Sequence, residues 1–298
     1  MKKEKKDYPI QKISKSTFPL LLSEIPDPPT ELWLRGELPP PDNKLLCVVG
    51  SRKYSTYGKN VCEKFIKELA GYPVSIVSGL AHGIDSIAHR SALESGLHTI
   101  AVPGSGIDPS VIYPRTHRSL SEMILKNKGA LLSEYAPLFE ATPWSFPKRN
   151  RIMAGMSHAI LIIEATERSG TLITARLAIE YNREVLAVPG SIFSQGSFGA
   201  HTLIRHGATP ITTSEDILEA LQIQKEHSRK RPTYTLSETQ KKVLTILSTA
   251  PITKDDLIRA LNMPTNDAQV LLSTMELQDM ISEIGGLVYP KIELKNIT

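Results

Sequence analysis

The 298-residue sequence predicts an α/β chain: a mostly parallel sheet with helices on both faces, followed by a small C-terminal unit of three helices and a hairpin. Three observations carry that expectation. From residue 45 short apolar runs alternate with segments of helical period. The runs are continuously apolar, which marks strands buried on both faces. Near residue 223 the rhythm stops in a charged, proline-containing stretch, and a different pattern begins.

Taken in order, residues 1–40 hold seven prolines and read as an extended lead-in segment. Residues 41–222 contain the runs LLCVVG (45–50), VSIVSG (74–79), HTIAVPG (98–104), ALLSE (130–134), AILIIEA (159–165), EVLAVPG (184–190) and ATPIT (208–212). Between them lie helical patterns such as Val61, Phe65 and Leu69 at four-residue spacing. Strand, helix, strand order with right-handed crossovers makes this a Rossmann-like domain. Residues 223–235 read as a linker. In residues 236–298, Ser237 with Gln240 and Thr253 with Asp256 look like capping boxes opening helices at 237–249 and 253–261. A third helix is expected at about 265–279, then a hairpin turning on Gly285 and Gly286. Three helices and a hairpin make a winged helix.

With 41% apolar and 22% charged residues, disorder and fibrous repeats are excluded. The longest apolar stretches run about seven residues, against roughly 20 for a membrane span. No apolar signal-peptide region follows the basic start, so a cytoplasmic protein without membrane association is expected. The two cysteines, Cys47 and Cys62, lie in apolar or helical patterns and form neither a disulfide framework nor a zinc motif. The formal charge is +4, of which residues 1–7 carry +2 and residues 225–231 carry +3, leaving −1 elsewhere. Nucleic acid would have to be met by a local cluster, not by the net field.

In open parallel sheets ligands bind beyond the carboxyl ends of the strands, beside helix N-termini. Those ends here carry Gly50-Ser51-Arg52, Ser78-Gly79, Pro103-Gly104-Ser105-Gly106, Ser169-Gly170-Thr171 and Pro189-Gly190-Ser191. Several small-residue turns at matching places point to a phosphate-binding rim, although glycine also simply closes strand–helix corners. Phe146-Pro147-Lys148-Arg149-Asn150-Arg151 is the densest basic cluster of the folded body, with Trp144 just before it. Cations for phosphates beside aromatic rings for unpaired bases fit single-stranded nucleic acid. The plainer alternative is a helix start whose arginines pair with carboxylates.

Seven ordered blocks carry a resemblance: VVGSRKYSTYG (48–58), SGLAHGIDSIAH (78–89), TIAVPGSGIDPSVIYP (99–114), LLSEY (131–135), FPKRNRIMAGMS (146–157), SGTLITARLAIEYNREVLAVPG (169–190) and GAHTLIRHGAT (199–209). Together they resemble the DNA-processing protein A family, DprA or Smf. The resemblance implies a Rossmann-like domain that binds single-stranded DNA, forms a homodimer, protects incoming DNA in natural transformation and loads the RecA recombinase, with no catalysis and no cofactor. Carried over by position, it implies DNA contacts from Gly50, Ser51, Arg52, Ser55, Gly79, Phe146, Lys148, Arg149, Asn150, Arg151, Ser169, Gly170 and Thr171. Arg52 would clamp a phosphate with its planar fork. Two departures stand out. The 40 leading residues are too few for the extra helical domain of many family members, and the third C-terminal helix has Asp267, Glu276 and Asp279 but no Lys or Arg.

The competing class is a Rossmann-like nucleotide sensor or phosphoribohydrolase-like enzyme. Such enzymes place a glutamate shortly after the Gly-Thr turn, whereas Gly170-Thr171 is followed by Leu172, Ile173 and Thr174. No P-loop, nucleophile elbow or HExxH motif occurs, and GxGxxG is missing after the first strand. His82, Asp85 and His89 form the one tempting ligand set, on the helix expected after Gly79; the structural alternative is that Asp85 braces the rim, and no metal is expected.

Overall fold

The computed structural model describes residues 8–224, 236–278 and 280–291. The chain divides into two compact units, 1–225 and 226–298. In the first, β1 (Ile10–Ser14), α1 (Leu20–Ser23) and β2 (Glu31–Gly36) precede the alternating body. That body runs β3 (Lys44–Val49), α2 (Thr56–Glu68), β4 (Val74–Ser78), α3 (Ile84–Glu94), β5 (His98–Ala101), α4 (Arg118–Lys126) and β6 (Ala130–Ser133). It continues α5 (Ser145–Met156), β7 (Ala159–Ile162), α6 (Gly170–Glu180), β8 (Glu184–Ala187), α7 (Phe198–Arg205), β9 (Thr209–Pro210) and α8 (Ser214–Ala220). The seven apolar runs are the strands β3 to β9.

They form one sheet in the order β1-β2-β6-β5-β4-β3-β7-β8-β9. From β6 to β9 all pairings are parallel. The chain lays down β4, β5 and β6 on one side of β3, then returns to place β7, β8 and β9 on the other. The reversal makes a topological switch point between β3 and β7, where α/β sheets open a crevice beyond their carboxyl ends.

Both sheet faces are covered, which explains the unbroken apolar strands. Cys62, Phe65 and Ile66 of α2 pack with Ile84, Ile87 and Ala88 of α3 and Ile217 of α8 on one face. Ile152, Met153 and Met156 of α5 pack with Ala175 and Ala178 of α6 and Ala200 and Leu203 of α7 on the other.

The lead-in reading of residues 1–40 is corrected. β1 pairs antiparallel with β2, and β2 antiparallel with β6 in the register Trp33↔Ser133 to Gly36↔Ala130. Leu32 and Leu34 alternate inward, a period-two signal that the surrounding prolines obscured. Leu22 is fully buried, Ile25 lies against Gly155 of α5, and Arg183 donates to the Leu21 carbonyl at 2.8 Å. Residues 10–36 therefore belong to the sheet and core of the first unit.

In the second unit α9 (Glu238–Thr249), β10 (Ile252–Thr253), α10 (Lys254–Leu261) and α11 (Thr265–Leu277) precede β11 (Ile281–Ile284) and β12 (Leu287–Pro290). The strands pair in the order β10-β12-β11 and complete a winged helix. The Ser237–Gln240 capping box forms in full; at Thr253 the side chain accepts from the Asp256 N–H, but its hydroxyl bonds to Asp256 Oδ2 and no reciprocal backbone bond closes the box. Gly285 and Gly286 both have positive φ, +61° and +81°, as a tight hairpin turn needs. The linker reading at 223–235 falls, from residue 225 on, outside the described residues.

Candidate nucleic-acid interface

The rim is built from the end of β3. After Val49 the chain turns through Gly50-Ser51-Arg52, and Ser51 holds the turn by accepting from the Lys53 N–H at 3.0 Å. The Ser51 carbonyl accepts from the Ile84 N–H at 3.2 Å, and Gly83 at φ +83° lies against the Ser51 carbonyl and Arg52, where any side chain would collide. The first residues of α3 thus hold up Arg52 from beneath. The Arg52 side chain is exposed, and its guanidinium carbon stands 5.6 Å from the Phe146 ring centroid. Phe146 rests on Gly104, where a Cβ would come within 2.5 Å of the ring, and its centroid is 5.5 Å from that of Tyr113. Ser145 pins the start of α5 by donating to the Gly104 carbonyl at 2.6 Å. Arg52, Phe146 and Tyr113 form a cation–aromatic row, with Lys148 one step further along α5. Lys148 is about half exposed, its Nζ 3.8 Å from Glu134 Oε2.

The FPKRNR segment divides by direction. Arg149, expected on DNA, is buried: Nη1 donates to the Gly79 carbonyl at 2.7 Å and to the Val102 carbonyl, and Nε to Asn150 Oδ1 at 3.1 Å. Asn150 is buried with it. Arg151 is buried too, paired with Glu134 and donating to the Asp27 carbonyl at 2.7 Å. Gly79 is likewise enclosed, its N–H given to Asp85 Oδ2 at 3.1 Å and its carbonyl to Arg149. A Cβ there would stand 2.5 Å from Arg149 Nη1 and 2.6 Å from Asp85 Oδ2. These four expectations are corrected. Arg149, Asn150 and Arg151 turn inward because successive side chains of a helix are spread around its axis, so only part of a basic hexapeptide faces solvent. Gly79, just past the end of β4, is enclosed by Arg149 and Asp85 instead.

The glycine turns also carry packing duties. Gly50 lies against Ile84, and Gly106 against the Ala136 and Pro137 carbonyls, so close backbone approach there serves the protein interior. Ser55 caps α2, accepting from the Gly58 N–H at 3.0 Å. Ser169 caps α6 by accepting from the Thr171 N–H at 3.2 Å, which leaves Thr171 mostly buried. Gly170, with open space where a Cβ would stand, is exposed at that helix start.

Electrostatics under the rim centre on Asp85. Burial pushes its carboxyl up from the ordinary range, opposed by Arg149 and by the Ala81 and Gly79 N–H groups. Burial likewise lowers the Arg149 guanidinium, opposed by Asp85. Asp85 therefore braces the rim. The His82, Asp85 and His89 set separates: His82 precedes α3 and sits edge-on to His117 at 4.8 Å, while His89 faces Thr99. Among the described residues no three His, Cys, Asp or Glu side chains are grouped to hold an ion.

Sequence reasoning missed Tyr113 and Glu164. Tyr113 had a signal, an aromatic in the Pro-bounded VIYP segment, and it is 48% exposed. Glu164 closes the apolar run of β7 and is 3% exposed, accepting from the Ser55 N–H at 2.9 Å and the Ser55 hydroxyl at 2.5 Å.

Comparison with known proteins agrees with this architecture. The family model for DNA recombination-mediator protein A matches residues 10–222, and that for the DprA winged helix domain matches residues 227–286. The DNA processing protein DprA of Streptococcus pneumoniae is 43% identical over 218 residues, 73% of this chain and 76% of that protein. Protein Smf of Escherichia coli is 44% identical over 205 residues, 69% of this chain but 54% of its own length, so the match spans about half of that relative. Among solved structures, DprA of Streptococcus pneumoniae superposes with a TM-score of 0.65 at 40% identity, covering 72% of this chain and 74% of the other. DNA processing protein A of Helicobacter pylori, whose structure concerns its single-stranded DNA binding mode, has a TM-score of 0.63 at 28% identity, covering 71% and 96%.

Proposed function

The chain belongs to the DNA recombination-mediator protein A family, and on that premise we propose that it binds single-stranded DNA along the carboxyl edge of its sheet. The observation that carries this reading is the row of exposed Arg52, half-buried Phe146 and exposed Tyr113, with Lys148 beside it. Arg52 and Lys148 neutralise phosphates, and the rings offer faces to unstacked bases. Gly50, Ser51, Ser55, Ser169, Gly170 and Thr171 complete the rim as backbone and capping groups at the starts of α2 and α6. The Helicobacter pylori relative with a described single-stranded DNA binding mode supports the ligand class.

Arg52→Ala and Lys148→Ala are each expected to weaken binding and to lower the log–log salt slope by roughly 0.7 per lost phosphate contact. Anisotropy titrations over a salt series check this. Unchanged affinity and slope in a folded double variant would remove the row from the site.

The protein acts in this reading as a non-enzymatic mediator of DNA processing in the cytoplasm. It protects incoming DNA during natural transformation, pairs with a second copy through the α/β unit, and passes DNA to RecA. The family resemblance supports these partners, and light scattering on residues 1–222 together with a pull-down by purified RecA checks them. No described helix is long and apolar enough to cross a membrane. Release of free base from nucleoside monophosphates by the purified protein would instead favour the phosphoribohydrolase alternative.

The winged helix has a separate role in this reading, protein contact. Its third helix, α11, carries no Lys or Arg and exposes Val270 (67%) and Leu277 (89%). Residues 237–298 hold six basic and eight acidic side chains, and among the described residues at least three of the bases already have partners. Lys241 pairs with Glu238, Arg259 with Asp256, and Lys242 donates to the Leu261 carbonyl at 3.0 Å, capping α10. A polyanion meets net repulsion on this unit. The fragment 232–298 should show no measurable affinity for single-stranded or duplex DNA at physiological salt, and tight binding would reverse the assignment.

A further inference from the structure

The rim has a second, chemically opposite half. At the switch point a cavity of about 490 Å³ lies beyond β7 and β8, lined by Ser55, Tyr57, Glu164, Gly190, Ser194 and Ser197 among others. Its volume falls within the range of about 300–1,000 Å³ typical of small-molecule sites. No Lys or Arg lines it among the described residues, and its floor is the Glu164 carboxylate. An acceptor-only floor rejects a phosphate and selects a hydrogen-bond donor.

We infer that this cavity receives a nucleobase and that Glu164 reads its donor edge. The inference rests on the single-stranded-DNA reading above and assigns it a base-selective subsite. A carboxylate accepts at about four lone-pair positions, of which the Ser55 N–H and hydroxyl take two. Ser55 is the cap of α2, so its two bonds also fix the carboxylate in one orientation. Gly58 makes room for it: a Cβ there would collide with the carboxylate. On one wall the Tyr57 hydroxyl is spent on the Pro189 carbonyl at 2.6 Å, so the ring stands fixed and half exposed. In the chain between the lining residues Ser191 and Ser194, Ile192 and Phe193 are 82% and 93% exposed. A ring so placed offers a face to a base entering the cavity.

The bases differ in what they present to such a floor. Guanine offers two adjacent donors, N1–H and N2–H, which can share the acceptor position left on one carboxylate oxygen, since the Ser55 N–H and hydroxyl already take one position on each. Adenine and cytosine offer one amino group. Thymine offers a single N3–H between two carbonyl oxygens that the carboxylate repels. Arg52 and Lys148 therefore hold the backbone, and Glu164 ranks the bases, with guanine first and thymine last.

The test compares the full chain on three single-stranded 20-mers by anisotropy: (dT)20, an alternating guanine–thymine repeat, and the same repeat with inosine for guanine. The guanine repeat should bind about fivefold tighter than (dT)20, the lower end of what a two-donor base contact provides. Inosine lacks the N2 amino group, so its repeat should lose most of that margin with the protein unaltered. Glu164→Gln, which replaces one acceptor by a donor, should bring the ratio to about one or below. Equal binding of all three oligomers, or a guanine margin retained in both the inosine repeat and the Gln variant, overturns the base-reading role while leaving the DNA interface standing. Failure to bind any of the three overturns both.

Discussion

Arg149→Ala is expected to lower the stability of the first unit by about 3–5 kcal/mol, the scale of loss when two buried carbonyls lose their donor and a buried carboxyl loses an opposing charge. The guanidinium is 5% exposed and ties the Gly79 carbonyl at the end of β4 to the Val102 carbonyl after β5. Truncation leaves both carbonyls without that donor and the Asp85 carboxyl, already pushed up by burial, without its opposing charge. Arg52→Ala at the exposed end of the same site should leave the denaturation midpoint nearly unchanged. Urea titrations of both variants at neutral pH separate the roles. If Arg149→Ala kept its stability within about 1 kcal/mol and instead lost roughly 0.7 of the salt slope, Arg149 would be a phosphate ligand after all.

The contrast between these two arginines marks how far the sequence reaches. The alternation of strands and helices along the chain, the helices on both faces and the winged helix follow from periodicity, because an apolar run must be covered and a capped helix must begin at its cap. The side of a helix on which a cation emerges follows from packing. Phe146 and Lys148 emerge at the rim, while Arg149 and Arg151, one and three positions past Lys148, turn into the protein. The motif locates the site without sorting contact residues from braces. Residues 10–36 show the same limit: Leu32 and Leu34 carry a strand signal, but the partner that makes it a strand is β6, about a hundred residues on. Glu164 is illegible for a different reason. A lone acid at the end of an apolar run gains meaning only when the switch point brings Ser55 and Gly58 to it.

Acidification should destabilise the first unit through His89. The side chain is fully buried on α3, with Nδ1 2.8 Å from Thr99 Oγ1, and the Thr99 hydroxyl donates to the Ile76 carbonyl at 3.1 Å. Thr99 therefore accepts from the imidazole, which places the proton of the neutral ring on Nδ1. Charging the ring would put a second proton on Nε2 in a site that burial and the nearby His117 and Arg149 make hostile to a cation, and His89 is held down at about 3. An unfolded histidine titrates near 6.5. The unfolded chain thus binds this proton first as pH falls. The stability contributed by the neutral ring is complete above about 6.5 and is lost progressively between there and about 3, a loss on the order of 4–5 kcal/mol over the full window. Carboxylates titrate in the lower part of that window, so the informative quantity is the difference between wild type and His89→Asn, whose amide can still donate to Thr99. Urea denaturation from pH 7 to pH 4.5, above most of the carboxylate range, should show the wild type losing stability more steeply, by up to about 1.4 kcal/mol per pH unit. Parallel curves for the two proteins would mean that His89 charges without cost in the folded state, and that the packing of α3 against β4 and β5 beneath the Arg52 turn tolerates a buried cation.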